Sequence, residues 1–449
     1  MKINHFLFKF LTVVSLAFPG IIFGSIFQSL ELPSSSSGIY LKASEVKEKK
    51  KTRKTPAMRE RVYSQLARAQ KLADEEKIDE GIAVLDRVKS RINQLNSYEK
   101  AMLWNFYGFI YYGKDDSIAA MNAFEKVVEQ ENIPESLELS TLFSLAQLSM
   151  AAEDYDRTIS YLDRWKATKG EDLNDNGLVL KASAYYAKKD YQSALEPISQ
   201  VVNKAFEEKR IPKENWLVLK RALHYELKQT NDMVVVSEQL VRHFSKGKYW
   251  IELANMYGET DQTDKQLAVM EAAHQQGFVT KRSDIQSLAQ LYFMAGAPYK
   301  AANLLSKSIE DGTVLENIKI LNYLAQAWIS AKQLEKAVPV LQKAARMSKG
   351  GNIDARLAET YLELEQWQSA IDSANQAKSK GDLDNPGNMD LALGIAYFNL
   401  NKFSLAIASF DAASKQSRQK KVASQWLKYA EREKDKQEQL KLQMDSIGS

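Results

Sequence analysis

Cysteine is absent and histidine nearly so, with four in 449 residues. Without a thiol there is no disulfide framework, no thiolate metal site, no thiol nucleophile and no lipid attachment through an N-terminal cysteine. His5 lies in the first apolar stretch. His224, His243 and His274 fall in separate segments with neither His-x-x-x-His nor His-x-x-Glu spacing, so no metal site is expected. Also missing are Gly-x-Gly-x-x-Gly, a Gly-Lys-Ser/Thr phosphate loop and a Gly-x-Ser-x-Gly nucleophile turn, so no cofactor and no catalytic residue is expected. An excess of one charge is lacking too: 61 basic residues against 57 acidic leave +4, too little to point to nucleic acid. Proline is scarce, at nine, and beyond Arg59 no alternating apolar pattern is long enough for a strand.

What is present suits a folded protein with a substantial core: 45% of the residues are hydrophobic and 26% charged. Lys2 and Lys9 precede a stretch from Phe10 to Phe27 that is apolar except for Thr12, Ser15 and Ser25, with Pro19 and Gly20 at its middle. This pattern reads as an export signal, or as an uncleaved membrane anchor, over residues 1–27. Residues 28–58 hold the serine run Ser34–Ser37 and then Lys47, Lys49, Lys50, Lys51, Arg53 and Lys54. That is six positive charges in eight residues, with little to bury, and it reads as a flexible tether.

Residues 59–419 carry helical periodicity with an internal repeat of about 36 residues. A small residue is followed three positions later by an aromatic, nine further on by another small residue, and four after that by a large apolar one. Clear copies are Gly108, Tyr111, Ala120, Phe124; Ala182, Tyr185, Ala194, Ile198; and Gly394, Tyr397, Ala406, Phe410. Three more begin at Ala289, Ala325 and Ala358, and weaker ones are centred on Ala69, Ala146, Ala222 and Ala254. Small and aromatic residues three apart share a helix face, so a second helix approaches closely while the ring fills the space beside it. Short turns such as Glu153-Asp154-Tyr155, Lys189-Asp190-Tyr191 and Asn401-Lys402-Phe403 then force antiparallel pairing. Residues 420–449 place Val422, Trp426 and Tyr429 at helical spacing among charges, as expected of a capping helix with a polar tail.

These features resemble the tetratricopeptide repeat family. The resemblance implies an all-α, right-handed superhelical solenoid of about ten helical hairpins with a concave groove that holds other proteins. In that family the groove is lined by second, fifth, ninth and twelfth positions of each first helix. Carried over, these are Asn105, Phe109 and Tyr112, then Gln147, Tyr186 and Asn255, then Gln286, Gln290 and Phe293, and finally Asn322 and Gln326. Carboxamides donate to and accept from a peptide backbone, and the rings add apolar area; ordinary polar surface and core packing are the plainer readings of the same residues. No unit combines lysine at its fifth position with asparagine at its ninth, so the family's clamp for a C-terminal carboxylate is not expected.

Several longer stretches are similar to the tetratricopeptide proteins that accompany the TonB energy-transduction system of Gram-negative bacteria. They are TPAMRERVYSQLARAQKLAD from Thr55, MLWNFYGFIYY from Met102, IPESLELSTLFSLAQL from Ile133, KYWIELANMYGE from Lys248, KQLAVMEAAHQQGFV from Lys265 and SDIQSLAQLYFMAGAPYKAANLL from Ser283. This resemblance implies a non-enzymatic periplasmic scaffold beside TonB, ExbB and ExbD, serving uptake of iron complexes and other nutrients. A repeat scaffold for another envelope machine, in outer-membrane assembly, secretion or attachment to peptidoglycan, is the alternative.

Overall fold

In the computed structural model the small residues of the repeat sit where two helices cross. A Cβ built on Gly108 would lie 2.5 Å from Phe124 Cε1, and one on Gly394 would lie 2.4 Å from Phe410 Cδ1. The Phe124 ring is 2% exposed and the Phe410 ring fully buried, so each occupies the space its glycine leaves open. Ala182, Ala194 and Ile198 occupy the same slots with no exposure, as do Ala325, Ala337 and Leu341.

The structure describes residues 55–447. The expectations for residues 1–27, and for most of 28–58, lie outside these residues. Among the described residues there are α-helices, one short 3-10 turn and no strand. The first five hairpins pair α1 (Glu60–Asp74) with α2 (Ile78–Lys89), α3 (Ser97–Gly113) with α4 (Ser117–Val128), and α5 (Glu135–Ala151) with α6 (Tyr155–Lys169). They continue with α7 (Asp175–Ala187) and α8 (Tyr191–Glu207), then α9 (Glu214–Glu226) and α10 (Thr230–Phe244). The next five pair α11 (Gly247–Glu259) with α12 (Thr263–Gln275), α13 (Arg282–Met294) with α14 (Pro298–Glu310), and α15 (Ile318–Ser330) with α16 (Leu334–Met347). They end with α17 (Asn352–Glu363) and α18 (Trp367–Lys380), then α19 (Pro386–Asn399) and α20 (Phe403–Ser414), and α21 (Lys420–Ile447) closes the series.

The main helix contacts lie within each hairpin and between neighbouring hairpins, so the described residues form an all-helical solenoid of ten antiparallel hairpins. No hairpin has a core of its own. Buried side chains form successive clusters shared between neighbours, such as Leu321 and Ala325 with Leu341, Leu357 and Met389.

Each hairpin turns through one residue of left-handed backbone, seven places after the small slot: Asp115 at φ 59°, Glu153 at 59°, Lys189 at 64° and Asn401 at 58° are examples. Only the seventh hairpin uses glycine there, Gly296 at φ 72°. Asp116, Asp154 and Asp190 then cap the second helix by accepting from the backbone N–H three residues on.

This constant offset corrects one register. In the fifth hairpin the left-handed residue is Lys228 at φ 57°, so the slot belongs to Arg221 and not to Ala222. Ala222 is half-buried, while Arg221 reaches out to pair with Glu252 and lies 5.6 Å from the Tyr249 ring. His224 fills the aromatic slot and meets Gln229 Oε1 through Nδ1 at 2.8 Å. A second correction concerns α21. Val422 is 46% exposed, and the residues buried against the stack are Ala423 and Ala430, because their small side chains let α21 lie close to the tenth hairpin. Trp426 does face the stack, 5.7 Å from Phe410 in parallel and 5.6 Å from Phe398 edge-on. Among the described residues no helix is long and apolar enough to cross a membrane.

Candidate functional site

A groove site needs side chains from successive first helices to meet at one place. That happens across the seventh, eighth and ninth hairpins. Gln286 and Gln290 from α13, and Asn322 and Gln326 from α15, line one cavity of about 450 Å³. Leu305 and Ile320, both buried, contribute apolar wall. Lys319 and Tyr323 of α15 and Arg356 of α17 complete it.

Four of the polar groups have partners within the protein. Arg356 Nη1 donates to Asn322 Oδ1 at 2.9 Å, linking the first helices of neighbouring hairpins. Gln326 Nε2 donates to Ser330 Oγ at 3.3 Å. The Tyr323 hydroxyl reaches the Ala289 carbonyl at 3.4 Å, its ring packs 5.7 Å from Phe293, and burial pushes its phenol above the usual range, so it stays neutral. No aspartate or glutamate lines the cavity, and neither Lys319 nor Arg356 makes an ion pair among the described residues.

A second cavity, of about 430 Å³, is basic by composition but compensated in charge. It holds Lys204, Arg210 and Lys213 beside Asp175 and Trp216. Lys204 lies 3.1 Å and Arg210 3.6 Å from the Asp175 carboxylate, Arg210 also pairs with Glu208, and Lys213 sits 5.2 Å from the Trp216 ring centre. Its cations are already committed within the protein.

Four of the eleven expected groove residues therefore meet. Phe293 packs on the lining residue Tyr323 behind them, and the other six are spread along the chain. Asn105 and Gln147 are half-buried and Asn255 is exposed, on three different hairpins. Phe109 is 42% exposed but packs edge-on to Phe124 at 5.4 Å. Tyr112 packs on the core of the second and third hairpins. Tyr186 lies 5.5 Å from Tyr191, and its phenol is raised by burial and then by the Glu226 charge. These rings are engaged in packing. Reading the sequence missed Arg356 and Tyr323, both at the sixth position of their units and so outside the four expected positions, and Lys319, which does occupy a second position.

No family model and no curated protein matches the chain. Among solved structures it is similar to a tetratricopeptide repeat protein from Parabacteroides merdae, at 14% identity over 57% of this chain and 98% of that one, with a TM-score of 0.29. It is also similar to YrrB, described as a TPR protein with an unusual peptide-binding site, at 14% identity over 42% and 95% and a TM-score of 0.35. A third is the TPR2AB domain of yeast Sti1 in complex with pHSP90, at 14% identity over 60% and 98% and a TM-score of 0.31.

Proposed function

We propose that this chain is a protein-binding scaffold with no chemistry of its own, holding an extended segment of a partner along its first helices. One observation carries this reading. Four carboxamides from two successive hairpins converge with an arginine from a third on a cavity that apolar side chains floor. A peptide backbone presents alternating donors and acceptors, which carboxamides match in both senses. Changing Gln290 and Asn322 together to Ala is expected to lower capture of the partner at least tenfold, about 1.4 kcal/mol, with far-UV circular dichroism unchanged. Undiminished capture would move the binding surface elsewhere.

The finer reading is a periplasmic accessory of the TonB–ExbB–ExbD system. Its support is the sequence resemblance of the stretches from Thr55, Met102, Ile133, Lys248, Lys265 and Ser283, together with the signal-like pattern of residues 1–27. Crosslinking in intact cells of a tagged copy carrying its own N-terminus, followed by mild detergent purification and mass spectrometry, tests it. Enrichment of TonB, ExbB or ExbD is the expected result. Enrichment of outer-membrane assembly, secretion or peptidoglycan-linked proteins in their place would assign the scaffold to another envelope machine.

A further inference from the structure

We propose that the cavity between the seventh and ninth hairpins takes the side-chain carboxylate of an aspartate or glutamate within the bound segment of a partner protein. This rests on the groove reading above and adds a chemical selectivity to it. The cavity is rich in donors and poor in negative charge. Arg356 carries five N–H donors in a planar fork, and among the described residues its guanidinium makes one bond, to the neutral Asn322 Oδ1 at 2.9 Å. That bond engages the Asn322 oxygen without neutralising the guanidinium, and it leaves the Asn322 Nδ2 as a donor. Lys319, on the same helix as Asn322, adds a second positive charge.

Lysines that bridge neighbouring hairpins elsewhere find a carboxylate: Lys300 pairs with Glu271, Lys378 with Asp390, and Lys246 with Glu214. Among the described residues Lys319 and Arg356 have none, although the whole chain carries 57 acidic residues. Buried Leu305 and Ile320 on the wall lower the local dielectric and strengthen a charge-assisted bond relative to one in open water. A carboxylate is acceptor-only with two oxygens, and it matches the arginine fork bidentately. Gln286 and Gln290 extend the cavity onto the preceding hairpin, where they serve backbone on the far side of the acidic residue, so an internal side chain fits better than a chain end. The chain's own basic run, Lys47 to Lys54, has the wrong sign to be the occupant.

The test uses the full chain, immobilised, with pools of degenerate nine-residue peptides acetylated at the N-terminus and amidated at the C-terminus, the central position fixed as Asp, Glu, Asn or Gln. Bound peptide is quantified by mass spectrometry. The Asp and Glu pools are expected to exceed the isosteric Asn and Gln pools about tenfold, roughly 1.4 kcal/mol, with the ratio narrowing in 1 M salt. Arg356→Gln is expected to bring the acidic pools down to the level of the amide pools, and Arg356→Lys to restore part of the difference.

Equal capture of acidic and amide pools, with Gln290→Ala/Asn322→Ala still lowering both, would overturn the selectivity and leave the groove reading standing. Capture unchanged by that double variant, or no capture of any pool, would overturn both. A preference for pools with a free C-terminus, without one for central Asp or Glu, would replace the side chain with a chain end.

Discussion

The two ends of the described solenoid, where a terminal hairpin has one neighbour and not two, are fastened by different chemistry. At the N-terminal end the segment before α1 folds back onto the start of the second hairpin through polar contacts. Arg59 donates to the Glu99 carboxylate from its backbone N–H at 3.0 Å, from Nε at 2.8 Å and from Nη2 at 2.6 Å, and also to the Gln94 carbonyl at 2.7 Å. Asn96 caps α3 in a capping box with Glu99 and donates from Nδ2 to the Ala57 carbonyl at 2.9 Å. At the C-terminal end α21 lays Trp426 on Phe410 and Phe398, with Tyr429 5.1 Å from Phe398. Aromatic burial responds little to pH and salt. A charge-assisted lock responds to acid, and the two ends are expected to fail under different conditions.

The largest effect is expected at the C-terminal end. Phe410→Ala removes a fully buried ring from the slot opposite Gly394 and from the Trp426 stack, and should cost about 3–5 kcal/mol. Gly394→Ala forces a Cβ against the same ring and should cost about 1–3 kcal/mol. The two should not add: with Phe410 cut to Ala, the added methyl enters vacated space and its own cost should disappear. Neighbouring hairpins lend one another stability, so the readout is hydrogen exchange of α19 to α21 rather than one melting temperature. Additive losses would mean that Gly394 and Phe410 do not share a slot.

At the N-terminal end Glu99 is fully buried as a side chain while Arg59 is 56% exposed. The hydrogen bonds from Arg59, opposed by burial and reinforced by the Arg59 and Asn96 backbone N–H groups, hold the Glu99 carboxyl down at about 2 against an ordinary 4.5. A folded value below the unfolded one gives stability that is fully present above about pH 4.5 and is lost as the pH falls toward 2. Glu99→Gln should therefore cost about 2 kcal/mol at pH 7, less than the 3–5 of a wholly buried pair because Arg59 can return to water, and the loss should shrink on acidification. Hydrogen exchange of α1 to α3 from pH 7 down to pH 3 checks this. A deficit that persists at low pH would assign Glu99 to packing.

How far the sequence reaches can be seen at particular residues. Gly108 with Phe124 and Gly394 with Phe410 were legible because a tight helix crossing permits few residue types, and spacing then sets the register. The fifth hairpin was not, since Arg221 satisfies its slot by leaving it for Glu252, and an alanine one place along imitates the pattern. Val422 was misplaced for a related reason: in α21 Ala423 and Ala430 make the close approach beside Trp426, so the buried stripe runs one residue along from Val422. For the site, position within a repeat identified Gln286, Gln290, Asn322 and Gln326, but which residues meet depends on the rotation between hairpins, which no single repeat encodes. Arg356 lines the cavity and Asn255 does not.

The smallest predicted difference concerns the turns of the terminal hairpins and needs no change in any packed contact. Glu76 in the first hairpin and Asn401 in the tenth hold the same left-handed backbone, at φ 63° and 58°, and both are exposed. For most L-residues this conformation crowds Cβ against the carbonyl oxygen and costs about 1–2 kcal/mol, whereas asparagine is among the residues that visit it routinely. Glycine removes the crowding at either position, but it also widens the unfolded ensemble by about 0.4–1 kcal/mol, which offsets part of the gain. Glu76→Gly should therefore stabilise α1 and α2 by about 0.5–1 kcal/mol, and Asn401→Gly should leave α19 and α20 within about 0.3 kcal/mol of the parent. Hydrogen exchange of the two hairpins in the paired variants reads both numbers. Equal gains at the two ends would mean that Asn401 is as strained as Glu76, and that side-chain type at the turn contributes nothing to the difference between the ends.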